Sequence, residues 1–253
     1  MKIVVTGGSR GIGRMIVESL YKDNEVILIS QSKESVGRAR TALKNRIQGY
    51  VANVSDYRKA KDVFERIGPF DALINCAGVL GPVGSLKDND IESWERTIKI
   101  NLMGTVNCCK AAIPILSKKK RAKIINISGG GSAFPRVYHS AYATSKAAVV
   151  RFTETLAKDF ANDRIPIDVN VIAPGAHKTD LWGGEKFDKE PEKWDDPKLL
   201  EKLVKFLLSE GSDGISGKFL SIKDDYEKLD KNINDTDLFT LRRIDNFKFK
   251  KID

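Results

Sequence analysis

"VVTGGSRGIG", residues 4–13, decides the reading of the fold. Val4 and Val5 belong to a short apolar run, Lys2–Thr6, of the kind that forms a strand covered on both faces. Gly7, Gly11 and Gly13 then follow the spacing TGxxxGxG, and a helical pattern over 11–22 begins inside the same stretch. Glycines at such a turn permit backbone angles that other residues avoid and leave room for a phosphate to approach the main chain. Unpaired N–H groups at the helix start then hold that phosphate. Strand, glycine turn and helix in this order predict a dinucleotide site that begins with Gly7, Ser9, Arg10, Gly11, Ile12 and Gly13.

Working outward, the same alternation fills the chain. Apolar, β-rich runs lie at Lys2–Thr6, Glu25–Ser30, Gly49–Ala52, Ala72–Cys76, Lys123–Ser128, Ile167–Ile172 and Lys218–Ile222. Several are continuous Val/Ile/Leu runs, as in buried parallel strands. Helical patterns occupy 11–22, 34–46, 56–67, 90–118, 141–162 and 197–210. The alternation predicts an α/β fold: a doubly wound, Rossmann-type parallel sheet of about seven strands with helices on both faces. There is no internal repeat and no linker rich in Pro, Gly or Ser, so one domain over 1–253 is the economical reading. Within it, 178–197 reads as a lid-like substrate segment and 223–253 as a C-terminal extension. In helix 90–118, Trp94, Ile98, Leu102, Thr105, Cys109, Ala112 and Leu116 make one continuous stripe. In helix 141–162, Tyr142 and Lys146 are four residues apart and share a face.

Composition removes several function classes. At 41% hydrophobic and 30% charged residues, the 253-residue chain can bury a core and is not of the disordered class. Its net charge of +9 comes from scattered lysines, and the one basic run, "KKKR" at 118–121, reads as a solvated helix end rather than a nucleic-acid patch. Three cysteines and two distant histidines, His139 and His177, fit neither a disulfide framework nor a metal site. No run approaches the ~18–20 apolar residues of a membrane span, and "MKIVVTGG" enters a strand directly, without a signal peptide. A cytoplasmic protein with reduced thiols is expected.

The second strand ends in "ILISQSK". An acidic residue there would bond the adenosine ribose 2′-hydroxyl and favour NAD. Ser30, Gln31, Ser32 and Lys33 stand there instead, and Arg10 in the glycine turn can approach the same ribose. A cation beside hydroxyl and amide donors suits a 2′-phosphate, so NADP(H) is expected over NAD(H), with NAD(H) as the other option.

The chain resembles the short-chain dehydrogenase/reductase family in its compact form, from residue 1 to about 222. The motifs that carry the resemblance are "TGGSRGIG", "NCAG" at 75–78, Asn101, "YATSK" at 142–146 and "APGAHKT" at 173–179. The resemblance implies that Asn53 and Val54 flank the adenine, with Asn53 where family members more often carry Asp. It implies that Asn75, Ala77 and Gly78 line the adenine ribose side, and that Pro174, Gly175 and Thr179 hold the nicotinamide end. His177 replaces a commonly apolar residue; a loop histidine facing solvent is the favoured reading of it.

The catalytic reading starts from Tyr142 and Lys146. Reducing a carbonyl by hydride needs a proton for the alkoxide, and the reverse oxidation needs a base; a tyrosine hydroxyl serves both. A lysine ammonium about 5 Å away lowers a tyrosine pKa by about 2 units. In the family this lysine also binds the nicotinamide ribose, and Asn101 would hold a water joining it to solvent. The family's carbonyl-polarising serine stands thirteen residues before the tyrosine, and three after the strand's Asn. Both counts here arrive at Gly129 in "NISGGGS", residues 126–132. Ser128 is one residue early and is the favoured candidate. Ser132 is a second, and a third option is no serine, with backbone N–H groups or Tyr138 and His139 in its place.

Residues 180–198, "DLWGGEKFDKEPEKWDDPK", carry Leu181, Trp182, Phe187 and Trp194 in a polar stretch with a glycine pair at 183–184. These aromatics either stack on a sugar or other ring of the substrate or pin the segment to the body. In the tail, Leu238, Phe239, Leu241 and Ile244 would cover an apolar patch, here or on a neighbouring subunit, and Arg242 and Arg243 read as solvated charges. The expected function is an NADP(H)-dependent oxidoreductase acting on a small carbonyl/alcohol substrate of keto-sugar, polyol or 3-oxoacyl type, without nucleic-acid or membrane partners. A nonenzymatic NADP(H)-binding regulator or scaffold is the alternative. The long helices, as in the family, predict a homodimer or homotetramer.

Overall fold

The computed structural model describes residues 1–242; Arg243, Ile244 and the rest of the tail lie outside the described residues. The apolar runs become parallel strands: β1 (Lys2–Thr6), β2 (Glu25–Ser30), β3 (Gln48–Val51), β4 (Ala72–Asn75), β5 (Ala122–Ile127), β6 (Ile167–Ala173) and β7 (Phe219–Ser221). They form one seven-stranded sheet in the order β3-β2-β1-β4-β5-β6-β7, with every neighbouring pair parallel. The helices between them are α1 (Gly11–Leu20), α2 (Lys33–Ala42), α3 (Tyr57–Ile67), α4 (Ile91–Ile98), α5 (Gly104–Leu116), α6 (Ser140–Asn162) and α7 (Pro197–Leu208).

The sheet is covered on both faces, which is why its strands lack a polar side. Ile3 and Val5 of β1 pack with Ile16 and Val17 of α1 and Leu200 of α7. Val4, pointing the other way, packs with Phe64 of α3, Cys108 of α5 and Ala157 of α6. Short polar side chains start several helices: Ser32 caps α2, Asp56 caps α3, Asp90 caps α4 and Asp196 caps α7. Lys123, deep in β5, is satisfied by Asp168 and Asp213 at 2.9 Å each and by Ser212 Oγ at 3.1 Å. Of the basic run at 118–121, Lys119 pairs with Asp71 at 2.6 Å and Arg121 with Asp213 at 3.2 Å.

The helix expected over 90–118 is interrupted. Residues Lys99–Met103 form a π turn between α4 and α5. Such a turn inserts one residue and rotates the helical faces on either side of it. The buried positions here are therefore polar, Thr97 and Asn101, rather than the expected Ile98 and Leu102, which are only partly covered.

The strand order reverses between β1 and β4. Chains leave in opposite directions on the two sides of this point, and a crevice forms beyond the carboxyl ends of the strands. The tail returns to its own chain: Phe219 N donates to the Phe239 carbonyl at 2.7 Å, and Leu241 N donates to Glu154 at 2.6 Å. Phe239 and Leu241 pack on the body, while Leu238 is exposed. Arg242 is exposed, as a solvated charge would be, and pairs with Asp237 at 2.8 Å and with Glu154 at 3.5 Å. Among the described residues no helix is long and apolar enough to cross a membrane.

Candidate active site

The crevice opens into a cleft of ≈ 1430 Å³. Its first wall is the glycine turn, whose geometry requires glycine at two positions. Gly7 has φ +69°, and a Cβ there would stand 2.7 Å from the Cα of Ala77, just beyond β4. A Cβ on Gly13 would meet the Gly7 carbonyl oxygen at 2.3 Å, so α1 seats against the turn only without one. α1 begins with no side chain capping its first N–H groups, which leaves those donors for an anion. Ser9, Arg10, Gly11 and Ile12 line the cleft at this point.

Beyond β2, Ser30 Oγ lies 2.9 Å from Ser9 Oγ and 3.1 Å from Ser35 Oγ, a chain of three hydroxyls, with Gln31 and Arg38 on the adjoining wall. Asn53 and Val54 continue that wall; the Asn53 side-chain oxygen accepts from Ser55 N and Oγ at 3.1 and 2.9 Å. Ala77 and Gly78 also line the cleft. Asn75 does not. Its amide donates to Asn126 Oδ1 at 2.9 Å and approaches Cys109 Sγ at 3.3 Å, and its own oxygen is buried without a partner among the described residues. It is turned into the layer between the sheet and α5.

Pro174, Gly175 and Thr179 line the far end. Gly175 has φ +84°, and Asp195 holds the loop by accepting from Ala176 N at 2.8 Å. His177 is buried rather than solvated: its Nε2 donates to the Pro174 carbonyl at 2.7 Å. A solvent-facing histidine was expected because the loop's own carbonyl cannot be seen from spacing.

α6 brings Tyr142 and Lys146 to the cleft floor, both buried. Lys146 Nζ donates to the Ile127 carbonyl at 2.9 Å and stands 5.7 Å from the centroid of the Tyr142 ring. Burial pushes the Lys146 ammonium down to about 8 and the Tyr142 hydroxyl up to about 12, against the opposing pull of the Arg136 charge on the tyrosine. Asn101 lies behind them in the π turn. Its Oδ1 accepts from Val79 N at 2.8 Å, and its amide donates to the Val79 carbonyl at 2.9 Å and to Ser145 Oγ at 3.0 Å. Gly78 lets Asn101 and Lys146 come close: a Cβ there would be 3.2 Å from Asn101 Oδ1 and 3.6 Å from Lys146 Nζ.

Both candidate serines have their one hydroxyl proton engaged. Ser128 Oγ donates to the Lys146 main-chain carbonyl at 3.2 Å, and Ser132 Oγ donates to the Gly129 carbonyl at 2.7 Å. Gly129 instead lies against the tyrosine: a Cβ there would stand 2.4 Å from the Tyr142 hydroxyl oxygen. Over the cleft, the segment after Thr179 is pinned by its own aromatics. Trp182 meets Trp194 edge-on at 5.3 Å, and Phe187 packs on Tyr138 at 4.5 Å. Glu185 accepts from His139 Nε2 at 2.7 Å and from Arg136 at 2.6 Å, and Asp188 accepts from Arg136 Nε at 2.6 Å.

Comparison with known proteins supplies the deciding observation. The family model described as short chain dehydrogenase matches residues 1–190. The chain belongs to the short chain dehydrogenase family. It is 28% identical over 228 residues to 2,3-dihydro-2,3-dihydroxybenzoate dehydrogenase of Bacillus subtilis (strain 168), covering 86% of this chain and 82% of that one. It is 27% identical over 240 residues to 3-oxoacyl-[acyl-carrier-protein] reductase FabG of Thermotoga maritima, covering 87% of this chain and 94% of that one. The solved structure of ElxO with NADP bound is 28% identical, with a TM-score of 0.78 over 87% of this chain and 96% of that chain. This short chain dehydrogenase is thus an oxidoreductase of the CH–OH/C=O class.

Three residues of the dehydrogenase's cleft carried no sequence signal: Arg38, Arg136 and Glu185. Arg38 sits four residues after Glu34, with which it pairs at 3.2 Å, and so reads as a surface helix pair. His139 lies fully buried and bonded to Glu185, outside the cleft lining. Arg136 and Glu185 meet across 49 residues of chain, in loops without periodicity.

Proposed function

We propose that this short chain dehydrogenase interconverts a carbonyl and an alcohol with NADP(H), using Tyr142 as the general acid/base. The observation that carries the reading is the buried Tyr142–Lys146 pair, one turn apart on α6, on the floor of a cleft whose glycine wall fits a dinucleotide. The N–H groups at the start of α1, with Gly7, Ser9, Gly11, Ile12 and Gly13, would hold the pyrophosphate; Asn53, Val54, Ala77 and Gly78 would border the adenosine, and Pro174, Gly175 and Thr179 the nicotinamide end. Bound NADP(H) supplies or accepts the hydride. Tyr142 gives its proton to the developing alkoxide in reduction and takes it back in oxidation. Its hydroxyl, pushed up by burial, needs positive charge close by to ionise, and Lys146 is one source. Asn101 braces this floor through Val79 and Ser145.

The preference for NADP(H) over NAD(H) is supported by the Ser9–Ser30–Ser35 hydroxyls, by Arg10 and Arg38 on the same wall, and by Gln31 where an acid would favour NAD. The substrate class is a keto-sugar, polyol or 3-oxoacyl compound. The test is a consumption screen of NADPH and NADH over ketones, keto-sugars and acyl thioesters. The expected result is a lower Km for NADPH and, in Tyr142→Phe, a turnover loss of at least ~100-fold with cofactor binding nearly intact. Near-full activity of Tyr142→Phe would overturn the catalytic assignment, and a lower Km for NADH the cofactor preference. Tight NADPH binding without turnover over the whole panel would restore the reading as a nonenzymatic binder.

A further inference from the structure

Two cations stand over the Tyr142 ring, and only one of them belongs to its own helix. Lys146 Nζ is 5.7 Å from the ring centroid, and the Arg136 guanidinium carbon is 5.8 Å from it. Arg136 comes from the loop before α6 and lines the cleft with a side chain only 16% exposed. It reaches the lid. Its Nη2 donates to Glu185 and its Nε to Asp188, each at 2.6 Å. Glu185 is itself over-determined: it also accepts from His139 Nε2 at 2.7 Å, and its other oxygen accepts from Lys186, Phe187 and Asp188 main-chain N–H groups.

We propose that Arg136 is a positioning residue that couples the 180–197 segment to Tyr142: its charge acts on the tyrosine hydroxyl, and Glu185 and Asp188 set how much of that charge is felt. With the segment seated, two carboxylates oppose the guanidinium. With it lifted, the guanidinium faces Tyr142 unopposed, and the tyrosinate form is favoured. Lid position is thereby transmitted to the acid/base group through one ion-paired side chain. The inference rests on the reading of Tyr142 as that group.

The other charged and titratable groups around Tyr142 do not substitute for Arg136. Lys146 is on the same helix and is fixed by the Ile127 carbonyl, whatever the lid does. Cys76, from the segment after β4, has its thiol pushed up to about 12 by burial and stays neutral at ordinary pH. His139 is fully buried on the far side of Glu185, and both of its nitrogens face acceptors, the Val137 carbonyl at 2.5 Å and Glu185 at 2.7 Å. Although His139, Glu185 and Asp188 lie close enough together to hold a metal ion, the Arg136 guanidinium already pairs with both carboxylates there.

The test is the ionisation of Tyr142 itself, which needs no substrate. Tyrosinate difference absorbance is recorded against pH for the full chain, with and without NADP+, and each variant is referenced to the same variant carrying Tyr142→Phe. Asp188→Asn removes one opposing carboxylate from a half-exposed position and should lower the midpoint by about 1 unit; Glu185→Gln should act in the same direction. Arg136→Gln should raise the midpoint by about 1 unit or more, and Arg136→Lys should stay nearer the parent. An unchanged midpoint in both Asp188→Asn and Arg136→Gln, with folded far-ultraviolet spectra, would overturn the coupling. Loss of turnover in Tyr142→Phe combined with unchanged midpoints would sink this inference alone. Retained turnover in Tyr142→Phe would sink the reading beneath it.

Discussion

Gly129→Ala tests the arrangement of the catalytic floor most directly. The added Cβ would stand 2.4 Å from the Tyr142 hydroxyl oxygen and 3.3 Å from its Cζ. Non-bonded contacts settle at about 3.5 Å, so the hydroxyl must retreat by about 1 Å. That retreat is cheap for the fold: the atom is the free end of a ring, and it makes no protein hydrogen bond among the described residues. Overpacking of this kind costs about 1 kcal/mol, at the low end of core insertions. For the chemistry it is expensive, because a displacement of about 1 Å at the reacting group lowers rates by ~100-fold, or about 2.7 kcal/mol of barrier. The expected result is a ~100-fold lower kcat, a melting temperature within a few degrees of the parent and nearly unchanged NADPH affinity. Steady-state kinetics on a substrate from the screen, thermal melts and NADPH fluorescence titration measure the three. Turnover within ~3-fold of the parent would refute the claim that this hydroxyl must sit where Gly129 allows it. Gly129→Ser carries the same Cβ plus a hydroxyl, so activity above that of Gly129→Ala would mean that the added hydroxyl can polarise the carbonyl.

Two further outcomes follow from the same contacts. Ser128→Ala and Ser132→Ala each remove a hydroxyl that donates to a main-chain carbonyl, so each should lose about 0.5–1.5 kcal/mol of stability and keep turnover within a few-fold; a ~100-fold fall in either would return that serine to the substrate. Lys123→Met takes the nearer cation from half-buried Asp168, which keeps Arg121 at 3.9 Å, and should cost about 1–3 kcal/mol in urea denaturation; a loss under ~0.5 kcal/mol would contradict the reading of this cluster as structural.

Much of this protein was legible because the relevant signals are local. Continuous Val/Ile/Leu runs report strands covered twice, and all seven appear within a residue or two of their expected ends. Three glycines between a strand and a helix report a close approach of backbone to backbone, which the geometry at Gly7 and Gly13 makes concrete. A tyrosine and a lysine four residues apart share a helix face whatever surrounds them. Tertiary structure alone decided what those elements face. Asn75 stands beside the cleft in sequence, yet its amide is claimed by Asn126 across the sheet. Spacing puts Ser128 nearer the expected position than Ser132, but the Lys146 carbonyl, eighteen residues on, decides where its proton points. The π turn at 99–103 rotates Asn101 inward by adding a residue that a helical count does not include. Arg136 reaches Glu185 only because two loops close over the same cleft, and loops carry no period from which such a meeting could be read.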